Sequence, residues 1–317
     1  MLRTRLTLAA VVITAVTAVA TLITPCPAFA DAVVLDLRGD PLAATPSGAP
    51  LLELQGPGSG CFAFDASTPA KHPSDSQGSL VAHLDSTHPT VRAAVALGAA
   101  YTDQDDFVFG AVFTIRAQGF EADPFGFHPI TFSLVNSQTT GFNRTGNLGD
   151  FRSDAFDTID VAYFPQVSPF FGGPFLSPAV FGSAVSHDAF ADFAFGSASF
   201  EFLPGASYLV TAEHHASARK LVVTAYGFGP GGLPVALSGG RVETDLSFLA
   251  GFSVDTLAIT AYEDGFNIFT QSGRSVRADV DYDLLFFAPG SLGAGGSLPS
   301  LTGLIRRSDG GAHGLSH

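Results

Sequence analysis

Tryptophan is absent from these 317 residues, Met occurs once as the initiator, Cys twice and Lys only twice. Each scarcity excludes something. Without Trp and with six Tyr, a strong aromatic platform for sugar stacking is missing; the 30 Phe can stack on a sugar face but bring no hydrogen bond. Of the cysteines, Cys26 lies in the first 30 residues, so Cys61 has no intramolecular partner once those are removed, and stability has to come from packing and strand pairing. Set among small residues and Phe, with nothing basic nearby in sequence to stabilise a thiolate, Cys61 reads as buried and inert. Only 15 basic residues stand against 29 acidic ones, a net charge of −14, which makes nucleic acid and anionic membranes poor partners. Six of the acids are Glu, and Gly-x-Ser-x-Gly, His-Glu-x-x-His, phosphate-cradling Gly loops and EF-hand spacing do not occur.

What is present divides the chain into three. Residues 1–30 read as a signal peptide: Arg3 and Arg5, an apolar run from Leu6 to Ile23, then Ala28-Phe-Ala30 as a cleavage signal before Asp31. Its removal takes two basic residues and no acid, leaving a net charge of 13 − 29 = −16. Residues 31–288 hold strand-forming runs with scarce helix signals, and 289–317 read as a flexible Gly/Ser-rich tail. A secreted, extracellular location follows from the leader.

The stretch Asp106–Phe164 organises the middle segment. Phe107–Arg116, Ile130–Asn136 and Phe156–Phe164 are rich in Val, Ile, Phe and Thr and are bounded by Gly, Pro and Asp, which is strand composition with turn punctuation. Alternation puts Ile159, Val161 and Tyr163 on one face of the third strand and Asp160, Ala162 and Phe164 on the other. Pro89–Leu97 is read as one or two helical turns, and Ser207–Ala212 with Lys220–Tyr226 as a hairpin around a long polar turn in which His214 and His215 are solvated. Asp279, Asp281 and Asp283 alternate with apolar residues as the acidic outer face of a half-buried strand. The Pro- and Gly-rich stretch after Phe164 carries Phe170, Phe171 and Phe175, either folded back over the core or exposed as a surface for self-association.

Many strands and few helices predict an all-β antiparallel β-sandwich of jelly-roll type. Asp85-Ser-Thr, Asn136-Ser-Gln-Thr-Thr-Gly141 with Arg144-Thr-Gly146, Phe156-Asp-Thr-Ile-Asp-Val-Ala-Tyr-Phe-Pro165 and Val254-Asp-Thr-Leu-Ala-Ile259 resemble a group of uncharacterised secreted bacterial proteins of the PEP-CTERM-associated type. The body of that group resembles the concanavalin A-like lectin and glucanase sandwich, and the resemblance spans residues 79 to 287. After Pro289 there is neither a hydrophobic anchor nor a basic stop, so free secretion is expected over anchoring.

Glucanases of this fold carry a strand of Glu, aliphatic, Asp, two residues, Glu, whose outer carboxylates act as nucleophile and acid. On this chain the motif falls on Thr158–Tyr163, where Thr158 and Tyr163 stand at the two catalytic positions and only the helper Asp160 remains. Lectins of the fold hold calcium through loop carboxylates near the sugar site. That implication makes Asp103, Asp105, Asp106, Asp154 and Asp157 candidate calcium ligands, with solvation of an acidic surface as the plainer reading. Asn136, Asn143, Arg144, Asp160 and Tyr163 are then the candidate ligand-binding residues. The expected function is a secreted, non-catalytic lectin-like binding module for extracellular carbohydrate. Its rivals are a self-associating matrix protein and a glycan-modifying hydrolase. The hydrolase would need Asp157 and Asp160 to face one cleft, although their spacing of three sends them to opposite faces of an ideal strand.

Overall fold

The computed structural model describes residues 32–46, 48–56, 61–71, 77–85, 90–120, 130–142, 154–165, 173–183, 192–261 and 277–291. They belong to a compact unit that starts at Asp31. The expected leader and the tail beyond residue 291 lie outside the described residues. So do Asn143, Arg144, Phe170 and Phe171.

Two eight-stranded sheets, antiparallel throughout, make up the fold. The first contains β1 (Val33–Asp36), β3 (Phe62–Asp65), β4 (Ser79–Asp85), β6 (Phe107–Ile115), β12 (Ser207–His215), β13 (Lys220–Phe228), β14 (Pro234–Asp245) and β16 (Arg277–Pro289). Its order is β14-β13-β12-β6-β16-β4-β3, with β1 also on β16. The second contains β2 (Glu53–Gln55), β5 (Val91–Thr102), β7 (Ile130–Val135), β8 (Thr158–Phe164), β9 (Phe175–Phe181), β10 (Phe193–Phe195), β11 (Ala198–Ser199) and β15 (Ser253–Ala261). Its order is β10-β9-β8-β7-β15-β5-β2, with β11 also on β9. The antiparallel sandwich expected from the strand runs is what forms. Among the described residues no helix is long and apolar enough to cross a membrane.

Between the sheets lies the Phe-built core. Phe107, Phe109, Phe113, Tyr282 and Phe287 of the first sheet join Phe132, Leu134, Ile159, Val161, Leu257 and Ile259 of the second in one cluster. Phe109 meets Phe132 edge-on across the layers, with ring centroids 5.8 Å apart. The Tyr282 hydroxyl donates to the Thr131 carbonyl at 3.3 Å, so the core's polar handle is satisfied by the opposite sheet. Cys61 is buried and free, and burial pushes its thiol pKa up, as an inert packing residue requires.

Three local expectations are corrected. Residues 91–102 are strand, not helix: β5 is held by β15 on one side and β2 on the other, and that pairing overrides the helix preference of its Ala residues. His214 is buried, not solvated: its ring stacks on Phe107 with centroids 4.9 Å apart, and its Nδ1 donates to the Asp105 carbonyl at 2.7 Å. Asp281 and Asp283 are buried as well, because cations from distant segments cover them. Lys71 reaches both oxygens of Asp283 at 2.8 Å, and Arg116 bonds Asp281 at 2.6 Å and Asp65 at 2.8 Å. One of only two lysines in the chain is committed there.

Candidate functional site

Strand β8 sits mid-sheet, and its alternation sends Ile159, Val161 and Tyr163 into the core while Thr158, Asp160 and Ala162 take the outer face. The register extends that face into two rows. One runs Arg92, Thr260, Thr131, Ala162, Ser177 across β5, β15, β7, β8 and β9; the next runs Ala94, Ala258, Ser133, Asp160, Ala179. All ten residues are buried. Four are Ala, four carry hydroxyls, and the last two are Arg92 and Asp160. Stacked Phe164 and Phe175, 4.6 Å apart, bound the face at one end, and Phe181 against Phe193, 4.7 Å apart, bounds it at the other.

Within the rows, Ser133 donates to an Asp160 carboxylate oxygen, and the Thr131 and Ser133 hydroxyls lie 3.3 Å apart. The Ser177 hydroxyl donates to the Gly196 carbonyl at 2.9 Å. Arg92 is held by its outer nitrogens, which donate to the carbonyls of Thr140, at 3.4 Å, and Gly141. Its guanidinium lies 4.4 Å from the centre of the Phe142 ring. Among the described residues, two buried polar atoms on this face have no partner: Arg92 Nε and Thr260 Oγ1.

Of the residues singled out from sequence, the described ones are scattered rather than brought together. Asp160 belongs to the face just described. Tyr163 points the other way, into the core; its hydroxyl accepts from the Phe202 amide at 3.1 Å, and burial pushes its pKa up to about 12, so it is an internal anchor and not a ligand contact. Asn136 is engaged within the protein, its carboxamide nitrogen donating to the Ser253 carbonyl at 3.0 Å and its oxygen accepting the amides of Gln138 and Thr139.

Asp157, at φ 50° just before β8, is buried and accepts from Thr139 Oγ1 at 2.7 Å, the Ser253 amide at 2.9 Å and Ser183 Oγ. Asp105 accepts the amide and hydroxyl of Thr102, Asp106 accepts the Ala216 amide, and Asp103 accepts Gln104 Nε2. Asp154 is exposed in the loop that precedes β8, beside Gly141. Each of these carboxylates holds or lines its own loop. Among the described residues no three His, Cys, Asp or Glu side chains converge to hold a metal ion, either at Asp103, Asp105 and Asp106 or at Asp154 and Asp157. Phe175 is likewise no loop residue: it opens β9 and is buried against Phe164.

No family model and no curated protein matches the chain. Solved structures do. Peanut lectin is 11% identical with a TM-score of 0.41, covering 83% of this chain and 99% of that one. Basic winged bean lectin, solved with Tn-antigen, is 14% identical at 0.43, covering 83% and 100%. Lectin I from Ulex europaeus, solved with the methyl glycoside of α-L-fucose, is 12% identical at 0.40, covering 82% and 98%. TM-scores near 0.4 leave too much of each fold unsuperposed to transfer a ligand or a site; the two sheets themselves establish the sandwich.

Sequence reasoning found Asp160 and missed Arg92, Thr131, Ser133 and Thr260. The available signal was shared by five strands: a large apolar residue alternating with Ala, Ser or Thr, as in Thr131-Phe-Ser-Leu134 and Thr256-Leu-Ala-Ile-Thr260. Chemically the face consists of hydroxyls, one carboxylate, one guanidinium and alanines. Its hydroxyls and carboxylate are buried, and the Ser133 hydroxyl is bonded to Asp160.

Proposed function

We propose that this protein is a secreted, non-catalytic, lectin-like module that binds an extracellular carbohydrate. The observation that carries the reading is the composition of the two rows: Ala, Ser and Thr around Asp160, flanked by Phe pairs. A sheet face meant to pack against another apolar layer is lined with Val, Ile, Leu or Phe. One meant for water is lined with long charged side chains. This face has neither; its hydroxyls and carboxylate match the hydroxyl-rich surface of a sugar, and the Phe rings suit its apolar faces. A glycosidase needs two carboxylates across the bond it cuts, and the two rows contain one, Asp160. Secretion rests on the leader pattern of residues 1–30.

The test is binding of residues 31–317 to a glycan array, alongside the variants Asp160→Asn and Ser133→Ala. Saturable binding to at least one glycan, weakened about tenfold by Asp160→Asn with an unchanged melting profile, is the expected result. Absence of binding across neutral and acidic glycans would end the carbohydrate reading. A matrix role through Phe contacts has less support, since Phe175 is buried; concentration-dependent sedimentation would restore it.

A further inference from the structure

An amine and two carboxylates share one buried spot on the first sheet. Lys71, between β3 and β4, has a side chain 12% exposed, and those of Asp281 and Asp283 on β16 are 6% and 8% exposed. Lys71 Nζ lies 2.8 Å from each oxygen of Asp283 and 3.8 Å from Asp281 Oδ2. The Ser79 hydroxyl, fully buried on β4, donates to Asp283 Oδ1 at 2.6 Å. Arg116 bonds the other oxygen of Asp281, its Nε donating to Oδ1 at 2.6 Å, which leaves Oδ2 toward Lys71.

As ions, Lys71 and Asp283 have both been taken out of water, and their attraction has to offset the desolvation of two charges. Joined as an amide they carry no charge, and that standing cost is gone. A nitrogen held at contact distance from a carboxyl group is also the arrangement that turns a bimolecular condensation into an intramolecular one. Cys61 is the only cysteine after residue 30, so no disulfide ties residues 31–317 together.

We propose that Lys71 and Asp283 condense in the folded protein into an intramolecular amide, an isopeptide bond. The ammonium first passes a proton to Asp283 Oδ2, giving an amine and a carboxylic acid. The Nζ lone pair then attacks Cγ, and Oδ1, held by the Ser79 hydroxyl, takes the developing negative charge. Asp281 Oδ2 accepts a proton from the nitrogen and delivers it to the departing Oδ2 of Asp283. The Nζ–Cγ bond forms, the Cγ–Oδ2 bond breaks and one water leaves. Nothing is oxidised or reduced, and Asp281 ends as it began. The bond joins residues 212 apart in sequence and fastens the segment before β4 to β16, the strand between β6 and β4. Closing so long a loop restricts the unfolded chain. The ion pair is the state from which the bond forms, so unfolding of newly made chain reports the ion pair alone.

Intact-mass spectrometry of residues 31–317, left to mature in neutral buffer, tests this. The wild type should be lighter than its sequence by one water, and a digest should yield a branched peptide joining Lys71 to Asp283. Lys71→Arg and Asp283→Ala should each show the full mass. Asp281→Asn keeps both reacting groups and should slow the loss of water at least tenfold. Should the variants fail to fold, the wild-type mass and its digest decide alone. A wild type at full mass overturns the proposal, and so does a water lost at any other site. Unslowed condensation in Asp281→Asn overturns the role of Asp281 as proton carrier.

Discussion

Replacing Asp157 by Ala separates a structural staple from a metal ligand. Asp157 is 5% exposed, and its carboxylate takes donors from three segments: Thr139 after β7 at 2.7 Å, Ser183 after β9, and the Ser253 amide at the start of β15 at 2.9 Å. Hydrogen bonds to a charged group contribute about 1.5–3 kcal/mol each, but these three share one acceptor and do not add in full. After truncation the two hydroxyls can turn to other acceptors. The Ser253 amide cannot turn, and an orphaned buried donor costs about 1–3 kcal/mol by itself. The total is then about 3–5 kcal/mol, a fall in Tm of about 10 °C for a domain of this size. Asp157→Asn keeps the outline and tolerates the positive φ of 50°, so it should lose about half as much. Urea and thermal unfolding, run with calcium and with chelator, supply the assay. The staple predicts the same loss in both solutions. A wild type stabilised by calcium, with Asp157→Ala losing only that increment, would refute the reasoning and return Asp157 to a metal site. A loss below about 1 kcal/mol in either solution would refute it as well.

Two further outcomes can be checked on the same instruments. Lys71→Met removes the cation 2.8 Å from the buried Asp283 and 3.8 Å from Asp281; urea unfolding should show a loss of about 3–5 kcal/mol, most of it recovered in Lys71→Met/Asp283→Leu. His214 titrates below the ordinary histidine value, chiefly through burial against Phe107 and Phe252 and with a contribution from His215, opposed by the Asp105 carbonyl and the charges of Asp106 and Asp103. The unfolded chain therefore takes up a proton that the folded chain refuses: stability is full above about pH 7 and falls as the pH drops through the ordinary histidine range toward the folded value. His214→Gln should flatten thermal melts between about pH 7 and pH 5, and an unchanged slope would locate the pH dependence elsewhere.

The fold was largely legible because its strands announce themselves locally. Phe107–Ile115, Ile130–Val135 and Thr158–Phe164 have β-branched and aromatic runs cut off by turn residues, and each became a strand. Misreadings arose where a partner distant in sequence decides the matter. Val91-Arg-Ala-Ala-Val-Ala-Leu97 is rich in helix formers, and only β2 and β15 make it extended. Asp281 and Asp283 look solvent-facing until Lys71 and Arg116 arrive from more than 160 residues away. Alternation along β12 buries His214 and leaves His215 half-buried. It could not reveal that the end of β6 would bring Phe107 beneath His214.

The candidate face shows the opposite problem, since its meaning lies in what five strands omit. Ala94, Ala162, Ala179 and Ala258 are unremarked in a sequence with 46% hydrophobic residues, and no single strand marks itself as a binding surface. Only the register reveals that small or hydroxyl side chains stand side by side where either a second apolar layer or a row of Lys and Glu would normally stand. The scarcity of Lys and Glu in the chain cannot by itself explain this, because the rows also exclude the Leu, Ile and Phe that the inner face of the same strands uses freely. Asp160 could be picked out early because a carboxylate on a strand is conspicuous. Arg92 could not: on the sequence it is one charge in an Ala-rich run, and its distinction, a buried cation facing a partnerless hydroxyl, exists only once β5 and β15 are paired.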